Sequence, residues 1–461
     1  MHLLRRDEAD LQVLLGEPKR AVRSMFIPFL VAFAIVEANQ FVDTFWISGL
    51  GTSSAEAISA SIPFYLLLMS VGVGVSVGAT TTIAFRLGRG ETVEASKLVS
   101  NSLMLGIILS LISSIALFLL LGPAISVLGL DSISDEIWNY MLPMIVMAVP
   151  IVSLTILGGV LRGEGAARKS TVIQISAAAF NMLLDPLMIY GLGLDILGAG
   201  LATGVSALVS LAIGLSWYAR GKTVLRISMS GMRPDRPMMA EVLNVAGPRT
   251  ANELIASAMT FIQRIFFVVA GGPAAVMIYN YPWRFISLFN LPGKAFENSL
   301  VPVGSAAYGQ SDTDKMWAAY VYCLKIMIVV SLVAVVIIYV FAEPLMSIMT
   351  YESSMHEKLP ELVWALRTAV FLLPFMSVRG LGASLLQSMK RAKVPMYFDL
   401  MSGSARMVLY ALSAYGFLWM DPFEGIIYIM VVVYAFNGIA MNALAVWQFR
   451  KIRSRIRAAE A

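Results

Sequence analysis

The sequence predicts an all-α integral membrane protein with about twelve transmembrane helices in two similar six-helix bundles. Three observations carry that expectation. The 461-residue chain is 58% hydrophobic and only 14% charged, whereas soluble domains run at about half apolar and about a quarter charged. Apolar runs of about 20 residues recur from end to end, each long enough to cross a hydrocarbon core about 30 Å thick. The connecting segments alternate between basic and acidic, as the positive-inside rule requires of a chain with an even number of crossings.

Taken in order, the helices are expected over residues 24–48, 56–86, 96–121, 137–161, 169–193 and 196–219. A polar linker follows over 220–240, then helices over 242–269, 275–306, 314–342, 361–388, 394–420 and 423–449. The chain thus divides into an N-terminal bundle (1–219), a cytoplasmic linker (220–240) and a C-terminal bundle (241–461). Arg20, Arg23, Arg86, Arg89, Arg162, Arg168 and Lys169 fall on one side, together with the linker arginines and the basic tail after Arg450. Glu56, Asp131, Asp135, Glu136, Asp195, Asp421 and Glu424 fall on the other. This places both termini in the cytoplasm of a multi-pass cell-membrane protein. The first apolar run is too long for a secretory signal peptide and lacks its small-residue cleavage site.

Composition also excludes function classes. A single cysteine, Cys323, rules out a disulfide framework. The net charge of +5 is dispersed over short loops, so no nucleic-acid partner is expected. There is no nucleotide-binding loop, no HExxH and no cysteine–histidine cluster, and His2 and His356 lie outside the helices. An ATP-driven pump, an intramembrane metalloprotease and enzymes generally are therefore not expected, nor is a cofactor.

The two halves repeat. Ile27-Pro28 matches Gly247-Pro248 at an offset of 220 residues. Phe85-Arg86-Leu87-Gly88 matches Ala306-Ala307-Tyr308-Gly309 at 221, and the stretch from Gly158 to Arg162 matches Ala383 to Gln387 at 225. Slow growth of the offset is what duplication followed by small insertions leaves. An even helix number in each half makes the repeats parallel, an arrangement known among transporters.

Charge inside a membrane is costly and therefore functional by default. The first half places Glu37 and Asp43 on helix one and Asp185 on helix five. Asn39 precedes Asp43 by four residues and Asn181 precedes Asp185 by four, so each amide shares a helix face with its acid. Pro186 removes a backbone hydrogen bond beside Asp185. Such a set suits either a hard cation seeking oxygen ligands or a proton shared between acids. In the second half Arg406 stands where the repeat has Asn181, and Tyr410 where it has Asp185. The charged residues there, Arg379, Asp399 and Arg406 among them, suit interior salt bridges or a lining for anionic or zwitterionic groups.

Several of these segments together resemble the multidrug and toxic compound extrusion (MATE) family, in its archaeal and DinF-like branch. They are Ile27-Pro28 followed by Asp43 and Gly49-Leu50-Gly51, Leu161-Arg162-Gly163-Glu164-Gly165, the run from Asn181 to Pro186, and the run from Gly198 to Thr203. The resemblance spans about residues 15–455. It implies a V-shaped pair of six-helix bundles and a secondary active transporter. Such a protein exports cationic or amphipathic compounds in exchange for Na+ or H+. It also implies a cation site, for Na+ or H+, at Asp43, Asn181, Asp185 and Thr203, and a substrate cavity touching Glu37, Asn39, Gln40 and Thr155. The expected partners are the small-molecule substrate and the lipid bilayer, with the carrier acting as a monomer. Helix four of relatives can carry asparagines where this chain has Thr155, Gly158 and Gly159. The alternative on the same scaffold is a flippase for lipid-linked saccharide, which calls for a strongly cationic cavity.

Overall fold

The computed structural model describes residues 11–48, 50, 52–127, 130–227, 234–347 and 358–460. Gly49, Gly51, His2 and His356 lie outside these, as does the side chain of Glu56. The first helices are α1 (Pro18–Ser48), α2 (Thr52–Gly88), α3 (Thr92–Val127), α4 (Ser134–Val146), α5 (Ala148–Gly163), α6 (Ala167–Pro186) and α7 (Asp195–Ala219). Then follow α8 (Arg236–Phe289), α9 (Leu291–Gly309), α10 (Thr313–Val340), α11 (Ala342–Ser347), α12 (Leu359–Ala369), α13 (Leu372–Ser388), α14 (Lys393–Ala414) and α15 (Pro422–Glu460). Among the described residues no strand occurs, and all twelve expected stretches are largely helical.

Nine helices are long and apolar enough on their own to cross a membrane, among the described residues, and the pair α4–α5 makes a tenth span bent by 56°. Pro150 explains the bend: it cannot donate to the carbonyl of Val146, so the hydrogen-bond ladder is broken there. The other two stretches, 275–306 and 394–420, carry Arg284, Lys294 and Glu297, and Asp399 and Arg406. The second of them stops short of its expected end. Helix α14 closes at Ala414, and Gly416 takes φ +73°, a left-handed conformation that glycine adopts without a Cβ clash. The expected gap after residue 269 is a break inside α8, at Gly271 and Gly272 (φ 68°, ψ −166°).

Two compact units emerge. The first comprises residues 1–251 with 305–312, the second 252–304 with 313–461. In the first unit α2 packs on α5 and α3, and α1 packs on α6. In the second, α15 packs on α13 and α14. Outward faces are apolar: Ile112, Ile115, Leu119 and Leu120 on α3 and Leu332, Val333, Val336 and Val340 on α10 are all exposed. Inward faces hold hydroxyls, with Thr80, Thr81, Thr82, Ser100 and Ser102 buried. Apolar side chains turned outward are what a lipid solvent favours, and Thr80 and Thr82 satisfy their buried hydroxyls on backbone carbonyls within the bundle.

In lipid, close contact between small residues does much of the work of helix association. A Cβ on Gly159 of α5 would overlap Ser76 of α2, and one on Gly163 would stand 3.1 Å from the Thr80 carbonyl. The Thr80 hydroxyl donates to the Gly159 carbonyl at 2.8 Å. Gly159 thus sits in a helix contact, whereas Gly158 lines a cavity and a Cβ there would meet only Ser170 and Arg162, at 3.4 and 3.5 Å. The run Gly198–Thr203 has a similar cause: a Cβ on Gly198 would meet the Met188 carbonyl at 2.7 Å, and one on Gly200 would overlap the Tyr140 carbonyl. Two repeat-equivalent segments also meet reciprocally. Gly88 lies against Ala306 and Gly309 against Phe85, each too close for a Cβ.

Candidate functional site

The site grows out of the α1–α6 contact in the first unit. Both helices carry an amide followed four residues later by an acid, so each presents two polar side chains on one face. Across the α1–α6 contact these polar groups turn toward each other. The Asn39 amide donates to Asp43 Oδ2 at 2.8 Å and to Asn181 Oδ1 at 3.0 Å. The Asn181 amide donates to Asp185 Oδ1 at 3.1 Å. Asp43 and Asp185 stand within hydrogen-bonding reach of each other. Asp185 is 3% exposed and Asn181 7%, so this is a desolvated acid pair.

Two buried oxygens of the network, Asn39 Oδ1 and Asp43 Oδ1, find no donor among the described residues. An orphaned buried acceptor is expensive. Two of them beside two carboxyl groups make a site that either a hard cation or a proton would satisfy. Tyr65 of α2 and Tyr140 of α4 lie within electrostatic reach of Asp43. Neither tyrosine stands out in the sequence, because each sits in an apolar run without a motif.

Beside the acids opens a cavity of about 290 Å³ within the first unit. Asn39, Asn181, Thr155, Thr203, Gln174 and Arg162 supply its polar lining, and Val36, Met69 and Leu154 part of its apolar wall. Of the expected cation ligands, Asp43, Asn181 and Asp185 are thus brought together. Thr203 lies on the cavity wall with Asn181, its hydroxyl donated to the Ala199 carbonyl at 3.2 Å. Asn39 and Thr155, expected in the substrate cavity, line this one, and Asn39 also joins the acid network. Glu37, half-buried, and Gln40, exposed, lie on α1 outside that lining. Arg162, which reads as a loop charge in the sequence, instead turns inward. It donates to the Ser76 hydroxyl at 2.7 Å and the Ser170 hydroxyl at 3.4 Å.

The second unit shows both outcomes open to its charges. Arg379 forms an ion pair with Asp399 at 2.5 Å, and Asn252 donates to the same carboxylate at 3.0 Å. Arg406 instead lies over the rings of Tyr434 and Tyr410, 5.2 and 5.9 Å from their centroids.

Comparison with known proteins adds four findings. The MatE family model matches residues 28–187 and 248–415. The chain is 28% identical to a FAD transporter of Shewanella oneidensis over 76% of this chain and 78% of that one. It is 24% identical to the multidrug export protein MepA of Staphylococcus saprophyticus, over 71% and 73% of the two chains. A solved outward-facing multidrug resistance MATE transporter of the MOP superfamily has the same fold, with a TM-score of 0.91 and 24% identity over 96% of this chain and 98% of that one.

Proposed function

The chain belongs to the MatE family, and from that premise we propose that it is a secondary active exporter of small organic compounds across the cell membrane. Influx of Na+ or H+ drives the export. The observation that carries the coupling is the acid pair Asp43–Asp185, linked through Asn39 and Asn181, with two buried oxygens that no donor among the described residues satisfies. The donors are all oxygens, which fits Na+, and the paired acids fit a proton equally. The cavity beside the pair receives the substrate. Its mixed lining of amides, hydroxyls and apolar side chains suits amphipathic compounds, and the relation to MepA supports drug-like ones. The relation to a FAD transporter extends the compounds to be assayed to nucleotides.

Occupancy of the acid pair by the coupling ion removes the repulsion between Asp43 and Asp185. That lets α1 bend at Pro28 and contract the cavity, so ion and substrate alternate across the membrane. The driving force is adequate. One charge moving inward gains about 2.3 kcal/mol per 100 mV, whereas a tenfold uphill gradient of substrate costs about 1.4 kcal/mol. In this reading both termini face the cytoplasm and the carrier acts as a monomer. The flippase alternative calls for a strongly cationic cavity. It is disfavoured by Arg379, whose charge Asp399 already neutralises.

The test is efflux of ethidium from vesicles containing the purified protein, under a Na+ gradient and under a pH gradient in turn. Transport under one gradient, lost in Asp43→Asn, supports the reading and names the ion. Folded protein that moves neither ethidium nor a flavin nucleotide under either gradient sinks it.

A further inference from the structure

The second unit holds on α14 a cation, Arg406, that no carboxylate among the described residues neutralises. It lies among Tyr279, Tyr410 and Tyr434, within hydrogen-bonding reach of Tyr434. No carboxylate among the described residues pairs with it, in contrast to Arg379 and Asp399. A buried charge is ordinarily paired, because desolvation without a partner is costly. Hydrogen-bond accounting points the same way. Arg406 Nε is buried with no acceptor among the described residues. Tyr410 is 0% exposed, and its hydroxyl too has no partner. Two buried donors, Arg406 Nε and the Tyr410 hydroxyl, thus lack an acceptor at the same place.

The neighbouring surface is aromatic. The Tyr279 ring stacks on Phe267 at 4.6 Å and on Trp283 at 5.4 Å. Tyr279, Trp283, Tyr434 and Arg406 are all only half-buried, so the cluster is open on one side. Arg406 and Tyr410 stand 225 residues after Asn181 and Asp185. The repeat position that holds an acid site in the first half therefore holds a basic one in the second.

We propose that Arg406 and Tyr410 form an anion subsite for the substrate, and that the adjoining tyrosine and tryptophan rings take a planar ring of the same molecule. The transported class then includes aromatic compounds bearing a carboxylate or phosphate, and zwitterions. The guanidinium supplies charge and two parallel donors to such a group, and an aromatic side chain offers a face on which a planar ring stacks. The inference rests on the exporter reading for its meaning, but not for its test.

The test is equilibrium binding in lipid nanodiscs with no gradient, so it is independent of coupled efflux. Flavin mononucleotide and riboflavin, which differ by one phosphate, are titrated against the wild type and against Arg406→Gln, Arg406→Lys and Tyr410→Phe. The wild type should prefer the phosphorylated flavin by about tenfold, which is about 1.4 kcal/mol. The preference should collapse in Arg406→Gln, shrink in Tyr410→Phe and partly survive in Arg406→Lys. Should Arg406→Gln fail to fold, the Lys and Phe variants decide. A wild type that binds neither flavin or shows no preference, or a preference unchanged in the variants, overturns the subsite. Absence of both ethidium and flavin-nucleotide efflux with the preference intact would overturn the exporter reading instead.

Discussion

Asn39 of α1 and Asn181 of α6 are joined side chain to side chain at 3.0 Å, and the same Asn39 nitrogen reaches Asp43 at 2.8 Å. One amide therefore ties the two helices that carry the acid pair. Asn39→Ala removes that tie and leaves the Asn181 oxygen without its donor. Coupled efflux should fall by at least about tenfold, and the thermal midpoint should drop by an amount matching about 1–3 kcal/mol. Efflux and melting assays on the same preparation check both. Unchanged efflux would remove Asn39 from the coupling network.

Asp185→Asn keeps the shape of the side chain and deletes its charge. The fold should survive, because Asn181 can still donate to the remaining oxygen. Ion-coupled efflux should vanish, whereas downhill leakage of substrate may be measured as before. Full coupled efflux by this variant would refute the assignment of the acid pair.

At the C-terminal end of α2, Arg86 spans Glu91 at 2.5 Å and Glu241 at 2.7 Å. The pair is partly solvated, so Arg86→Gln should cost about 1 kcal/mol, or about 2–4 °C in melting temperature. Arg86 holds the Glu91 carboxyl below its ordinary value of 4.5. A depressed acid contributes stability above its unfolded-state value and loses it as the pH falls through the folded-state value. The gap between wild type and variant should be full at pH 7 and narrow below about 4.5. A gap that stays constant on acidification would assign the effect to packing.

Gly159 and Gly247 make a matched comparison. A Cβ on Gly159 would overlap Ser76, while one on Gly247 meets nothing within 4 Å. Gly159→Ala should therefore push α5 off α2 and cost about 1–3 kcal/mol by overpacking. Gly247→Ala should be neutral or stabilise by up to about 1 kcal/mol through helix propensity. Melting curves of the two variants check this, and equal effects would mean that the α2–α5 contact is not tight.

Gly272 has open space around its Cα yet takes φ 68° and ψ −166°, a region essentially closed to other residues. Gly272→Ala should thus destabilise by about 1–3 kcal/mol through backbone strain alone. A melting point equal to that of wild type would show that the break inside α8 tolerates an ordinary conformation.

The helices were legible in the sequence because lipid imposes one requirement on every span: about 20 apolar residues with internally satisfied backbone. Their ends were less so. The stretch 415–420 is apolar enough to read as a continuation of α14, but the left-handed Gly416 ends the helix before it. The acid site was legible because Asn39/Asp43 and Asn181/Asp185 each repeat at four residues, a spacing that helix geometry turns into one face. The roles of Tyr65, Tyr140 and Arg162 were not, because they follow from contacts between distant helices. Arg162 reads as one more loop cation until α2 brings Ser76 within 2.7 Å of it.

The π-helical turn Leu187–Gly191 that follows Asp185-Pro186 carries Tyr190, whose hydroxyl donates to the Trp46 carbonyl at 2.5 Å. Helix α1 is thereby fastened to α6 twice, at Asn39 and at Trp46, about two turns apart. Between those fasteners α1 cannot flex without breaking one of them. Its free arm runs from Asn39 back through Pro28, whose ring leaves the Ser24 carbonyl without its helical donor. The arrangement is a lever with a clamped end and a soft pivot. In the proposed coupling, a change of charge at Asp43 would be carried along this arm of about 30 Å as movement toward Pro18.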